Sequence, residues 1–366
     1  MAKQTRVMDE ERSVVTIAEA KRIIKKITEA AIKNQTIETV ELEGGPGIGK
    51  SQIVSAVAAE LNINECDIRI GQMADASDMV MKLPNTEHTK IVEIVLARFP
   101  ISPNNLIRLD EFRHGAEDVR RGCYQLLQDK RLGTYLVPPG TVMVAISNDS
   151  SDATTEDLEG PLFDRFTYRM KVVADFKDWA DGYIPNLNYK HGSLVTSYLK
   201  FHQDVFILKP ENGRVLMTPR RWEQVIKNLD DLDLVKTIMP PATFVSFEQF
   251  VKKVEMFRDV DQFVEGKKKL PSDIGDQWAV YAAVMSMLQS DAKYEDRCFE
   301  VLEEKFIGMD SDIQANTILD VIRFYLTKKK ASLSDVLIKL PAPKKTILNN
   351  VISKYKYAAS GVIQTA

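Results

Sequence analysis

The sequence is organised around one glycine-rich stretch, Gly44-Gly45-Pro46-Gly47-Ile48-Gly49-Lys50-Ser51. It fits the phosphate-binding pattern of Gly, four residues, and then Gly-Lys-Ser or Gly-Lys-Thr. The preceding residues Thr39-Val40-Glu41-Leu42 are predicted as a strand, and Gln52 to Leu61 as a helix with apolar residues at helical spacing. A strand, a glycine loop and a helix in this order direct backbone N–H groups and the positive helix end to one point. The alternative is an ordinary glycine turn before a helix.

This context predicts a site for a phosphate chain. The predicted contacts are Gly45, Pro46, Gly47, Ile48, Gly49, Lys50 and Ser51. Lys50 can reach the β- and γ-phosphates, and the Ser51 hydroxyl can bind a magnesium ion.

The composition is that of an ordinary globular protein. A chain of 366 residues is long enough for two or three domains. The formal net charge of −3 gives no global field that indicates nucleic acid or a membrane as partner. No apolar run reaches the ~20 residues that span a bilayer, and the charged N-terminus lacks the apolar core of a signal peptide. We therefore expect a cytoplasmic protein with no membrane partner.

Cysteine and histidine are too scattered to predict a metal site. Cys66, Cys123 and Cys298 are widely spaced and odd in number, which argues against a disulfide framework and suits a reducing compartment. The four histidines are isolated from one another along the chain. A site built on histidine ligands is therefore not expected.

A second motif lies where a hydrophobic strand ends in two acids. Leu106-Ile107-Arg108-Leu109 is followed directly by Asp110 and Glu111. Downstream of a phosphate loop this is the Walker B arrangement, in which Asp110 would hold magnesium through water. Glu111 would act as the general base that polarises the attacking water. Many strands end in Asp-Glu, so the motif indicates a nucleotide site only in combination with the glycine-rich loop that precedes it in the sequence.

A third candidate follows the run from Thr141 to Ser147, whose β-branched and apolar residues suit a strand buried on both faces of a parallel sheet. The strand ends at Asn148, whose amide would lie beside the γ-phosphate and could orient the water. Taken alone, Asn148 would be interpreted as a residue that only forms a turn.

Strand and helix patterns alternate up to about residue 175, after which helical patterns dominate. The fold class predicted is α/β, with a parallel five-stranded sheet flanked by helices and followed by an all-helical lid and a helical extension. The predicted domains are a polar segment and helix (1–34), a nucleotide-binding core (35–175), a helical lid (176–265) and a C-terminal extension (272–366).

Taken together, these motifs resemble those of the AAA+ ATPases, P-loop NTPases with a parallel sheet and a helical lid, and within them the MoxR-type branch. The resemblance covers roughly residues 35–230. Besides the Walker A and Walker B motifs, it is carried by Gly71-Gln72, Ser77-Asp78-Met79, Leu127 to Gly133, Val137-Pro138-Pro139-Gly140, Phe163-Asp164-Arg165-Phe166 and Thr218-Pro219-Arg220.

The resemblance implies a role for further residues and for assembly. Asn148 would be the sensor 1 residue, and Arg165 would be an arginine finger that acts on the nucleotide of a neighbouring subunit. Arg220 would be the sensor 2 residue on the lid, with Arg221 as second choice. It also implies ATP and Mg²⁺ as cofactors, a ring that is usually a hexamer, and a chaperone-like action on a protein partner, in some relatives one with a von Willebrand A domain.

The sequence departs from the MoxR-type pattern after Glu111. Many such proteins continue with an apolar residue and then Asn-Arg, whereas this chain has Phe112-Arg113-His114. If the missing arginine acts across a subunit interface, Arg113, Arg120 or Arg121 are the candidates that could replace it.

Three function classes remain open at this stage. The first is an ATP-hydrolysing ring ATPase that remodels or activates a protein. The second is a DNA-directed motor or loader, supported only by the C-terminal lysines Lys328, Lys329, Lys330, Lys344, Lys345, Lys354 and Lys356. The third is a non-enzymatic scaffold gated by nucleotide, against which the complete set of Walker residues argues. GTP in place of ATP is a further alternative.

Overall fold

The computed structural model describes residues 13–149, 164–187, 189–209, 215–257, 259, 262, 267–269 and 271–290. The chain divides into two compact units, the first ending at Asp175 and the second beginning at Phe176. The polar segment before Ser13, Cys298, the C-terminal lysines and most of the predicted extension lie outside the described residues.

The first unit contains ten strands and three α-helices among its described residues. In chain order the strands are β1 (Ser13–Thr16), β2 (Glu38–Gly44), β3 (Asn64–Arg69), β4 (Val80–Pro84), β5 (Ile91–Val95), β6 (Asn105–Asp110), β7 (Arg131–Leu132), β8 (Tyr135–Leu136), β9 (Val142–Asn148) and β10 (Tyr168–Val173). The helices are α1 (Ile17–Asn34), α2 (Lys50–Leu61) and α3 (Glu117–Asp129).

Six of these strands form one sheet in the order β1-β10-β2-β9-β6-β3, and every neighbouring pair is parallel. The predicted fold class, a parallel α/β sheet flanked by helices, is confirmed. The predicted number of five strands is one too few. The additional strand is the edge strand β1, whose four residues are too short to show a period and run directly into the Thr16 cap of α1.

Two hydrophobic layers cover the sheet. On one face, α1 and α2 pack through Ile24, Ile53 and Val54 against strand residues that include Leu42 and Val144. On the other face, the α3 residues Val119, Cys123 and Leu126 pack with Ile107, Leu109 and Met143. The strand ends between these layers are therefore held by buried neighbours on both sides, which fixes the positions of the side chains that follow them.

Two short hairpins project from the first unit. Strands β4 and β5 pair antiparallel, so the segment from Lys90 to Phe99, which could be helix or strand from its sequence, is in part a strand. Strands β7 and β8 form the second hairpin. The two hairpins meet where the Thr134 backbone N–H donates to Glu93 Oε2 over 2.7 Å.

The second unit is helical among its described residues. A π-helical segment (Asp178–Tyr183) precedes α4 (Gly192–Phe201), α5 (Pro219–Asn228), α6 (Leu232–Ile238), α7 (Pro241–Met256) and α8 (Ile274–Ser290). As the sequence predicts, Thr218 caps α5 and Pro219 occupies its first position. Tyr198, Trp222 and Phe247 form its aromatic core. No helix in the described part of the chain is long and apolar enough to span a bilayer.

Candidate functional site

The glycine-rich loop connects the end of β2 to the start of α2. Gly47 and Gly49 have φ values of 70° and 108°, in the left-handed region that favours glycine. Gly44 has no room for a side chain, because a Cβ atom there would lie 2.3 Å from the carbonyl oxygen of Val172 on β10. These glycines are therefore required by the backbone path that delivers the N-terminus of α2 to the end of the sheet.

Lys50, the first residue of α2, is folded back over this loop. Only 6% of the residue is exposed. Its ammonium donates hydrogen bonds to the carbonyl oxygens of Gly44 and Gly45, both over 2.8 Å, and to Asn148 Oδ1 over 3.1 Å. The three donors of the ammonium thus join the loop to the end of β9. The sequence-predicted residues Lys50 and Asn148 are brought together.

Ser51 and Asp110 form a second contact between the loop and a strand end. The Ser51 hydroxyl donates to Asp110 Oδ2 over 3.0 Å, and Asp110 Oδ1 accepts the backbone N–H of Glu111, also over 3.0 Å. A hydroxyl and a carboxylate at this separation are the oxygen donors that suit Mg²⁺, which keeps several waters and takes few protein ligands. The residues present therefore fit the magnesium site predicted from the sequence.

Arg108 is a part of this site that the sequence analysis did not identify. Its guanidinium lies between α2 and the strands β3 and β6, with Nη1 2.9 Å from Ser55 Oγ and Nε 3.6 Å from Asp110 Oδ2. It also pairs with Glu65 and Asp67 on β3. Its position in the sequence could have indicated this role, because Arg108 lies two residues before Asp110 and residues at that spacing share one face of a strand.

Glu111 has an unusual backbone conformation. Its φ of 55° and ψ of 37° are left-handed, and it precedes a short 3-10 helix, Phe112–His114. Its side chain is exposed and lies against Gly71, where a Cβ atom would be 2.8 Å from Glu111 Oε2. A non-glycine residue in this region costs about 1–3 kcal/mol and persists only where its surroundings hold it. Gly71, identified in the sequence only by resemblance, leaves room for this carboxylate.

Arg113 points into the protein. It is 2% exposed, and its Nη2 lies 3.1 Å from Glu41 Oε1 and 2.7 Å from Glu43 Oε2, both on β2. Arg120 donates from Nη1 to the Arg113 carbonyl over 2.9 Å. Of the three arginines considered for a role between subunits, Arg113 is thus committed to an interior contact within its own chain.

Arg165 lies beside α3. Its guanidinium stands over the Tyr124 ring, with Cζ 4.9 Å from the centroid, and its carbonyl accepts a hydrogen bond from Thr39 Oγ1 over 2.9 Å. The next residue, Phe166, is buried and packs edge-on against Phe112 at 5.9 Å. The segment that carries Arg165 is therefore fixed to β2 and to the turn after Glu111.

Arg220 and Arg221 both lie in the first turn of α5, in the second unit. Arg221 Nη1 donates to the Leu216 carbonyl over 2.6 Å, which holds its side chain to its own loop. Arg220 is exposed. Arg221 is exposed as well, and the role expected for either arginine stays a prediction.

Comparisons with known proteins give only distant similarity. No protein-family model matches the chain, and no curated protein matches it. Among solved structures, a mutant of RuvB from Thermotoga maritima matches with a TM-score of 0.38 and 17% identity over 78% of this chain and 89% of that chain. A second RuvB mutant matches with a TM-score of 0.39 and 18% identity over 79% and 87%. RuvB described as a Holliday junction branch migration motor matches with a TM-score of 0.36 and 17% identity over 78% and 88%. With TM-scores below 0.5, these similarities are too low to transfer a role to this chain.

Proposed function

We propose that this chain is a Mg²⁺-dependent ATPase. The observation that carries the proposal is the convergence of Lys50 and Ser51, at the start of α2, on the residues that end β9 and β6. Lys50 contacts Asn148, and Ser51 contacts Asp110. A phosphate-binding loop is common to many folds. Here the loop residues also contact the amide of Asn148 and the carboxylate of Asp110, and these groups together are the ones that phosphoryl transfer needs.

Each residue has a proposed role in hydrolysis. The loop amides and Lys50 bind the triphosphate, and Asn148 orients the water. Ser51 and Asp110 would hold Mg²⁺, which would neutralise charge on the phosphate oxygens. Glu111 accepts a proton from the attacking water. The water oxygen then bonds to the γ-phosphorus, while the bond between the γ-phosphorus and the bridging oxygen that leaves with ADP breaks. Arg108 holds the Asp110 carboxylate toward α2.

We further propose that the protein is an AAA+ ATPase of the MoxR-like type that works as a ring, with Arg165 acting on the nucleotide of a neighbouring subunit. This finer assignment is supported by the sequence motifs around Arg165 and Arg220. An arginine from a neighbouring subunit raises the rate of phosphoryl transfer by about 10³–10⁵-fold, so turnover would require assembly of the ring. The proposed action is the remodelling of a protein partner, such as a protein with a von Willebrand A domain.

Phosphate release from ATP tests the proposal. The wild-type protein should release phosphate in Mg²⁺ and lose that activity in EDTA, and the same assay with GTP decides which nucleotide is preferred. Asp110→Asn should abolish the Mg²⁺-dependent activity, whereas Asp118→Asn, the same change at an exposed position on α3, should leave it unaltered. Phosphate release that is absent from the wild type at every protein concentration would refute the proposal.

A further inference from the structure

The face of β2 toward α3 carries an unexpected row of polar residues. Thr39, Glu41 and Glu43 alternate along the strand with Val40 and Leu42, and all three are fully buried. A central strand of a parallel sheet is normally apolar on both faces. The acids therefore require an explanation beyond packing.

Both acids pair with Arg113. Its Nη2 contacts Glu41 over 3.1 Å and Glu43 over 2.7 Å, and none of the three residues is more than 2% exposed. Stability alone does not account for this arrangement, because well-packed apolar residues of similar size often stabilise a core as much as a buried ion cluster does. The cluster is better explained by what it holds in place.

Arg113 lies two residues after Glu111, in the 3-10 helix that Glu111 initiates. The guanidinium is held by β2, and the Arg113 carbonyl is held by Arg120. These contacts hold both the side chain and the backbone of Arg113 in place. The left-handed backbone at Glu111 needs such support, because that conformation is unfavourable for a residue with a side chain.

We propose that Arg113, bound by Glu41 and Glu43, is a positioning residue that holds Glu111 in its productive orientation relative to the phosphate loop. Strand β2 ends at Gly44 and leads directly into that loop. The same strand therefore places the phosphate-binding backbone and, through Arg113, the turn that carries the general base. This inference rests on the proposed ATPase function.

The decisive variant replaces the ion cluster with apolar residues of similar size: Glu41→Leu, Glu43→Leu and Arg113→Met together. Removing Arg113 alone would take a cation away from two buried acids and endanger folding, whereas the triple variant removes the acids as well. We expect its melting temperature and its KM for ATP to stay close to those of the wild type, while kcat falls at least about tenfold. A folded triple variant with wild-type kcat would overturn the proposal.

A matched control removes another three-residue ion cluster. Lys21 and Lys25 on α1 both contact Glu60 on α2, on the opposite face of the sheet. The variant Lys21→Met, Lys25→Met, Glu60→Leu should keep the wild-type kcat. An equal loss of kcat in this control would overturn the assignment to Arg113.

Two further measurements keep the proposal falsifiable. Arg113→Lys retains the charge but replaces the planar fork with a point charge, so it should lower kcat without raising KM, and an unchanged kcat would overturn the proposal even if the triple variant did not fold. In a Glu111→Gln background, the triple change should cost little of the residual single-turnover rate, because Arg113 acts through Glu111. An equal fold decrease in rate in the wild-type and Glu111→Gln backgrounds would show that Arg113 does not act through Glu111. A wild-type protein without hydrolysis would instead refute the proposed function itself.

Discussion

The Ser51 hydroxyl donates a hydrogen bond to Asp110 Oδ2 over 3.0 Å, which joins the first turn of α2 to the end of β6. The two residues are separated by 59 positions in the sequence. Their contact brings together the two oxygen atoms that the account assigns to Mg²⁺. The fold therefore brings the two proposed metal ligands within hydrogen-bond distance of each other.

Ser51→Ala should raise the Mg²⁺ concentration needed for half-maximal phosphate release. The variant removes a proposed metal ligand and also the hydrogen bond that orients Asp110, and loss of a partner that orients a metal ligand typically costs about 10–100-fold in metal affinity. A Mg²⁺ titration of the hydrolysis rate measures the shift. Ser102→Ala, at an exposed position, should give the wild-type curve. An unshifted curve for Ser51→Ala would remove Ser51 from the metal site.

Gly71→Ala should lower kcat while leaving ATP binding intact. The added methyl group would lie 2.8 Å from both Cβ and Oε2 of Glu111, so the carboxylate has to move. We expect a loss of about tenfold or more, since misplacing a catalytic group by about 1 Å can cost 10²-fold. Steady-state kinetics and a fluorescent ATP analogue separate the two effects. Gly182→Ala serves as control, because a Cβ atom there meets nothing within 4 Å. Wild-type kcat in Gly71→Ala would contradict the placement of Glu111.

Arg165→Ala should bind ATP with near wild-type affinity but hydrolyse it poorly. If Arg165 serves a neighbouring subunit, adding Glu111→Gln protein to Arg165→Ala protein should restore part of the activity, because the first variant supplies the arginine and the second supplies the base. Light scattering with ATP, in the wild type and in Arg165→Ala, reports assembly. A wild-type protein that stays monomeric with ATP at high concentration would contradict the ring.

The two described cysteines should be unreactive in the folded protein. Burial raises the pKa of the Cys123 thiol to about 12, and burial is also the main cause of the raised pKa of Cys66. At pH 8, roughly one Cys123 in ten thousand would then be a thiolate, the nucleophilic form. In a Cys298→Ser variant, a thiol reagent at pH 8 should react slowly with native protein and rapidly with two thiols after denaturation. Rapid labelling of the native protein would contradict a closed core around α3.

The parallel sheet and most of the site could be predicted because their signals are local. The glycine-rich loop is continuous in sequence, and Asp110, Glu111 and Asn148 lie at the ends of strands that are revealed by their apolar runs. The sixth strand, Ser13–Thr16, could not be predicted because four residues at a sheet edge show no period. The roles assigned to all the site residues, Lys50, Ser51, Asp110, Glu111, Asn148, Arg165 and Arg220, stay predictions.

The contacts that support the site could not be predicted because they join distant residues. Alternating Thr39, Glu41 and Glu43 suggest a solvent-facing side of a strand, yet they are buried. Only the tertiary structure shows that Arg113, 70 residues after Glu43, is their partner. The same holds for Arg108, whose sequence neighbours on β6 are apolar and whose polar contacts come from α2 and β3.

The most direct test of the central claim is the effect of Glu111→Gln on ATP turnover and binding, measured on the same preparation. Because the amide cannot accept the proton of water, we expect phosphate release to fall at least about 100-fold while the protein retains bound ATP. Glu29→Gln, the same change at an exposed position on α1, should behave as the wild type. Hydrolysis at the wild-type rate in Glu111→Gln would contradict the account.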